Sequence, residues 1–255
     1  MSARSAWTAM LLLAAAVRLA AGPTNDLADA QTEGRALARQ LCEARPPENF
    51  TNASTLIIQP ARGKGRKREI PLITSTTLTE TNWAAVYETL LSTNAHLRRR
   101  LIVTHTGLAP NHYSLSTVPP KGVVDQSELP ECAAWAVVPF ADSDFWVVDL
   151  GLEFLHWPLQ KLLKKELKKG QSCAVLDSKD PEPATNGYSR VVSWIDIDTG
   201  GIVQAEAFDA RGKLLKEFEL KEAEKVNGQW KVSELQMRNT QTGSRTTLKF
   251  NFGKP

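Results

Sequence analysis

The chain is poor in cysteine. Cys42, Cys132 and Cys173 are the only three in 255 residues. They are widely spaced, and no short motif pairs them. That spacing excludes a disulfide framework and a cysteine zinc site, though an exported chain would have room for one bridge and one free thiol. Histidine is almost as scarce. His96, His105, His112 and His156 include no close pair at metal-ligand spacing, and no Cys-x-x-Cys joins them. His105 and His112 flank a turn containing Gly107 and Pro110, so a hairpin could bring them together; a satisfied or exposed histidine is the ordinary alternative. Charge of one sign is lacking too. The net charge is +3, which carries no domain-wide basic footprint for nucleic acid. No internal run is apolar for long enough to make a transmembrane helix. Gly-x-Ser-x-Gly, His-Glu-x-x-His and Gly-x-Gly-x-x-Gly are all absent, as is a P-loop.

What is present suits a folded domain. Hydrophobic residues make up 42% of the chain, and its length can bury a core as one domain or two small ones. The N-terminus reads as a secretory leader. Arg4 precedes the apolar run Met10 to Val17, and Ala20, Ala21 and Gly22 follow. Arg18 interrupts that pattern, and Pro23 disfavours cleavage directly after Gly22. Cleavage after Ala30 fits the small-residue rule, so residues 1–30 are expected to be a signal peptide or disordered leader and 31–255 a single domain. No cysteine follows the apolar run, so no bacterial lipid-attachment site is present.

The spacing of Leu37 and Leu41, with Ala38 and Cys42 beside them, predicts a short amphipathic helix over 31–45 that ends at Pro46 and Pro47. Strand texture follows. STLIIQP and EIPLITST flank a basic turn, ARGKGRKR, whose functional reading is a phosphate or headgroup contact and whose ordinary reading is a solvated hairpin tip. NWAAVYETLL, LRRRLIVTH and NHYSLST are further strand candidates, and residues 119–131 read as loop. Leu159, Leu162, Leu163 and Leu167 have helical spacing, yet Lys169-Gly170 followed by SCAVLD suggests a hairpin. The C-terminal third contains strand-like runs separated by Asp198-Thr199-Gly200-Gly201, Asp209-Ala210-Arg211-Gly212, Asn227-Gly228 and Thr242-Gly243. Glycine supplies positive φ in such turns, and the regular spacing predicts an antiparallel meander curling into a sheet or barrel. Trp194 shares a strand face with Val192 and Asp196, while Ser193, Ile195 and Ile197 share the other.

One stretch raises chemistry directly. DSDFWVVDLGLEFLHWP, residues 142–158, sets Asp142, Asp144, Asp149, Glu153 and His156 among aromatics. Apolar surroundings raise a carboxylate pKa, so an acid/base pair drawn from Asp144, Asp149 and Glu153 would be a hydrolase site. Short carboxylates also serve as helix caps, turn residues and rim charges. No partnered nucleophile accompanies them.

FADSDFWVVDLGLEFLHWP, QKLLKKELKKGQSCAVLDS and GYSRVVSWIDIDTGGIVQAEAFDARGKLLKEFEL together resemble bacterial outer-membrane lipoprotein-sorting proteins, the LolA/LolB-like carriers. The features that carry this are Ser143-Asp144-Phe145, Asp149-Leu150, Cys173 before Val175-Leu176, Trp194-Ile195-Asp196, the turn at Asp209 to Gly212, Thr246, NWAAVYETL and the helix exit at Arg45-Pro46-Pro47. The resemblance covers most of the chain after about residue 31. It implies a mainly β fold with a few helices (α+β): a curved, incomplete antiparallel β-barrel closed by helices around an apolar cavity. It makes 161–167 and 172–177 a hairpin and sets 142–158 at the cavity mouth. The function it implies is a periplasmic carrier that holds the acyl chains of lipoproteins or lipids and delivers them towards the outer membrane, with inner- or outer-membrane transport components as partners. Such a carrier needs no catalytic residue, metal or cofactor. The expected lining or lid is Trp83, Trp135, Phe145, Trp146, Leu150, Phe154, Trp157 and Trp194. An arginine used by the sorting carriers has no counterpart that can be placed here, so the cargo could be another lipid. An envelope module that binds a protein partner on the same scaffold is the alternative.

Overall fold

The computed structural model describes residues 27–90, 98–118, 137–226 and 229–252. Twelve strands pair antiparallel in one open sheet: β1 (Phe50–Gln59), β2 (Arg68–Leu78), β3 (Trp83–Thr89), β4 (Arg98–Thr106), β5 (Ala109–Val118), β6 (Leu159–Lys168), β7 (Gln171–Lys179), β8 (Arg190–Asp196), β9 (Ile202–Phe208), β10 (Leu214–Val226), β11 (Gln229–Asn239) and β12 (Arg245–Phe250). The order is β5-β4-β3-β2-β1-β12-β11-β10-β9-β8-β7-β6. Two meanders thus meet at a β1–β12 seam, where Leu56 faces Leu248, and β5 and β6 are the edges among the described residues. The mainly β, incomplete barrel expected from the sequence is the architecture found.

Local sequence explains the strands. Ser54, Leu56 and Ile58 alternate inward on β1, as do Thr246, Leu248 and Phe250 on β12, the period-two pattern of a strand with one buried face. The leucines of β6 settle as strand rather than helix because Lys169 and Gly170 adopt φ of 50° and 80°, the two successive positive φ values of a tight hairpin turn. The β9–β10 turn is closed by Asp209, whose Oδ1 accepts from the Arg211 and Lys213 amides at 2.9 and 2.8 Å. The basic β1–β2 tip, residues 62–69, is exposed throughout.

α1 (Leu27–Glu43) lies against β6 and β7 and buries Leu37, Ala38 and Leu41 against Leu162, Ala174 and Leu176. Its first turn precedes the expected cleavage point at Ala30, and its first buried residue is Gly34. After the helix, Arg45 donates to the carbonyls of Glu80 and Asn82, each at 2.9 Å, tying the β2–β3 turn to the helix exit. Residues 137–158 then cross between the two sheet edges as a strap made of a 3-10 turn (Phe140–Asp142), α2 (Val147–Gly151) and a second 3-10 turn (Glu153–His156). Among the described residues no helix is long and apolar enough to cross a membrane.

Candidate functional site

The strap carries the acids and aromatics of the 142–158 stretch, and its own apolar side chains fill the inner face of the sheet. Phe140, Phe145 and Val147 are fully buried among Tyr87, Leu101, Val103 and Phe250. Its second half packs Phe154 and Leu155 against α1 and β6–β9.

Three clusters of polar contacts are prominent among those that pin the strap. First, the Asp144 amide donates to Thr246 Oγ1 at 2.9 Å, while Ser244 and Thr246 hydroxyls donate to the Asp144 carboxylate at 2.6 and 2.8 Å. Second, Lys216 on β10, 1% exposed, donates to the Asp144 carbonyl at 2.7 Å and to Asp149 Oδ2 at 3.3 Å. Its ammonium sits 3.5 Å from the centre of the Trp146 ring, and Trp146 stacks on Tyr188 at 4.6 Å. Burial pushes Lys216 down to about 8, against the pull of the Asp149 and Asp144 carboxylates. Asp149 also accepts from the Trp146 amide at 2.7 Å and so caps α2. Third, Asn111 on β5 donates to the Gly151 carbonyl at 2.7 Å and to Glu153 at 3.0 Å, and the Tyr113 hydroxyl donates to Glu153 at 2.7 Å. Burial raises the Glu153 carboxyl against those hydrogen bonds.

These partners give the acids structural contacts. Asp149 is a cap, as one sequence reading had it, but neither Asp144 nor Asp149 is an exposed rim charge; Asp144 is buried, Asp149 is half-buried, and both are bonded. Beside the strap, Cys42 Sγ lies 3.7 Å from His156 Nδ1. This pair has the composition of a nucleophile and base, yet burial, then the charges of Glu153 and Glu43, push the thiol up to about 12, and a neutral thiol is a poor nucleophile. His105 stacks on Trp83 at 3.8 Å, and burial lowers it to about 3. Among the described residues no group of histidines, cysteines and carboxylates could hold a metal ion.

The predicted lining residues separate into groups. Phe145, Trp146, Leu150, Phe154 and Trp157 all lie on the strap, and Trp83 joins them from β3 beside Leu150 and His105. Trp194 does not. It lies on the opposite face of the sheet in a cluster with Val175, Val192 and Val203, its indole donating to Glu166 at 2.6 Å. Trp135 lies outside the described residues, as do His96, Cys132, the loop at 119–131 and most of the leader. Cys42 and Cys173 are free thiols. Lys216, Tyr188, Asn111 and Tyr113 were not singled out from sequence. Lys216 had a signal: in KLLKEFEL it shares strand parity with Phe218 and Leu220, which puts a lysine on an apolar face. The other three had none.

Open space around the strap is limited. An apolar pocket of about 260 Å³ lies over Val148, Phe154, Trp157 and Tyr188. Smaller cavities of about 40 and 30 Å³ lie between Trp83 and Leu150 and between Phe154 and Ala205. A larger cavity, about 750 Å³, is elsewhere, on the outer face of the sheet among Gln59, Gln204, Glu217, Arg238 and Arg245. It is polar and touches none of the predicted aromatics.

Comparison with known proteins bears on the fold. A family described as "Uncharacterized protein" matches residues 137–252, from the strap to the last strand. No curated protein matches the chain in sequence. Among solved structures, a DUF1329 family protein from Desulfovibrio piger superposes with a TM-score of 0.69 at 17% identity, covering 88% of this chain and 92% of its own. A domain named for outer membrane lipoprotein sorting, from Vibrio parahaemolyticus, gives 0.68 at 18% identity, covering 88% and 95%. A LolA superfamily protein from Nitrosomonas europaea gives 0.57 at 14% identity, covering 86% and 91%. The fold is LolA-like, the scaffold on which a lipoprotein-sorting domain is also built.

Proposed function

We propose that this protein is a non-enzymatic periplasmic carrier that holds acyl chains of a lipid or lipoprotein against the inner face of its open barrel and delivers them towards the outer membrane. The observation that carries this reading is the strap. A segment of short helical turns covers the apolar inner face and is joined to the sheet by a few polar contacts rather than by strand pairing. The pocket of about 260 Å³ beside it is smaller than the ~300–1,000 Å³ usual for ligand pockets, so a long acyl chain enters only as the strap shifts. Each buried methylene contributes about 0.8 kcal/mol, so a chain of about fourteen carbons gains on the order of 10 kcal/mol. Hydrogen bonds to charged groups, such as those of Lys216 and the Asp144 carboxylate, are worth about 1.5–3 kcal/mol each. Cargo burial is the term that opposes these contacts and the strap's own apolar packing, and release lets Phe140, Phe145 and Val147 return to the same wall. The leader, cleaved, supplies the export that this role needs.

Native mass spectrometry of protein purified from a periplasmic fraction tests the reading. A co-purifying lipid, or one-to-one uptake of a fluorescent fatty-acid probe, is the expected result; a protein that holds neither is no carrier. A second reading, an envelope module that binds a protein partner, draws on the strap's present filling of the interior. It is favoured if neither lipid nor probe is held and a stable partner is retained in pull-downs.

A further inference from the structure

The apolar pocket of about 260 Å³ over the strap combines two properties that ordinary lipid space lacks. Its walls are aromatic: Phe154 and Trp157 meet edge to face at 6.5 Å, and Tyr188 stands across from them. Its lining also holds four acidic residues, Asp149, Glu153, Asp180 and Glu182, and no lysine or arginine among the described residues. Asp149 is paired with Lys216, and Glu153 accepts from Asn111 and Tyr113, so Asp180 and Glu182 carry the pocket's uncommitted charge. The nearest cation, Lys216, lies beneath and is committed to Asp144, Asp149 and the Trp146 ring. His156, also in the lining, is held towards its neutral form by burial.

Aromatic faces and carboxylates around an apolar space are the chemistry that recognises an ammonium group.

We propose that this pocket binds an organic cation, an alkylammonium group carried on an apolar body, and so selects the head group of the cargo. The assignment rests on the carrier reading and adds the charge of what is carried. The ammonium lies between the Trp157 ring and the Asp180 and Glu182 carboxylates, with its chain directed under the strap. The molecule as a whole argues for no such preference: its net charge of +3 favours an anion, so selection of a cation has to come from the pocket.

Three dodecyl ligands of equal chain length separate head from tail: dodecyltrimethylammonium, dodecyl sulfate and dodecyl maltoside, each titrated below its micelle concentration at neutral pH and low salt. Near-UV circular dichroism checks that the fold persists. Dodecyltrimethylammonium is expected to bind at least tenfold more tightly than dodecyl sulfate. The double variant Asp180→Asn/Glu182→Gln is expected to reduce that ratio several-fold while leaving maltoside affinity unchanged. Asp180 closes its loop through Oδ1, which accepts from the Glu182 amide at 3.0 Å, and asparagine keeps that acceptor. If all three ligands bind alike, or the sulfate binds best, the head-group assignment is wrong and the carrier reading stands. If none binds, both fall. A cation preference unaffected by the double variant also overturns the assignment, because it then arises elsewhere.

Discussion

Lys216 is the residue on which the strap depends most. An ammonium at 1% exposure is tolerated because one carboxylate, one carbonyl and one indole face surround it. Removing one partner of a buried ion pair leaves the other uncompensated, which costs about 3–5 kcal/mol, whereas replacing both with neutral groups is far milder. Lys216→Met should therefore lower unfolding free energy in urea by about 3–5 kcal/mol, and adding Asp149→Asn should recover a large part of it. A loss below about 1 kcal/mol, or no recovery in the double variant, would show that the pair does not hold the strap. Lys216 was legible in part, since its strand parity betrays a lysine on the inner face. Its partners were not: Asp144 and Asp149 lie about seventy positions away, and no local pattern reports contacts of that range. For the same reason Asp144, read from sequence as a cap or rim charge, emerges as a buried anchor, while Asp149 keeps its cap role and also pairs with Lys216.

At the scale of elements, α1 and the strap pack on a hydrogen-bonded sheet. α1 approaches β6 closely at Gly34, where an added Cβ would stand 2.6 Å from the Lys161 backbone. Helix propensity alone predicts that alanine there gains about 1 kcal/mol. Packing predicts the reverse, because backbone atoms at that distance cannot yield and the helix must lift, at a cost of about 1–3 kcal/mol. The steric effect should win: Gly34→Ala is expected to lower the melting temperature and to speed amide exchange along 27–43. Slower exchange or a higher melting temperature would mean that α1 does not seat on β6 as described. Beyond this contact β6 continues as an edge among the described residues, with Leu163 and Leu167 exposed. Lys164, Lys165 and Lys168 lie on the same stretch, charges of the kind that discourage pairing with another sheet.

For the whole molecule, burial around the strap links stability to pH. His105 is lowered to about 3 from 6.5, and His156 is lowered as well. Between pH 6.5 and 3 the unfolded chain therefore binds more protons than the folded one at these sites, and stability falls as pH falls. Glu153, raised by burial, acts in the opposite sense, because the folded state takes its proton first. Comparison with a variant isolates the histidine. His105→Phe keeps a ring for Trp83 to stack on and removes the titrating group, so its stability should decline less than that of the parent from pH 6.5 to 4. Each pH unit in that window is worth up to about 1.4 kcal/mol. Urea denaturation across the range checks this, and parallel curves would mean that His105 is not held neutral by the fold.

Strand positions, hairpin turns and the amphipathic helix were determined by the sequence itself, because alternation, positive-φ glycines and helical spacing act between near neighbours. The mainly β class and the curled meander followed from those local signals. Which aromatics share a space was decided only in three dimensions. Trp194 and Ile195 are adjacent in the chain, yet the pleat sends one to the outer face and the other inward, and only the curvature of the sheet defines which face is enclosed. The β1–β12 seam, the strap across the open side and the acids around its pocket likewise join residues far apart in sequence. They exist because closing a sheet brings together groups that no window of the chain contains.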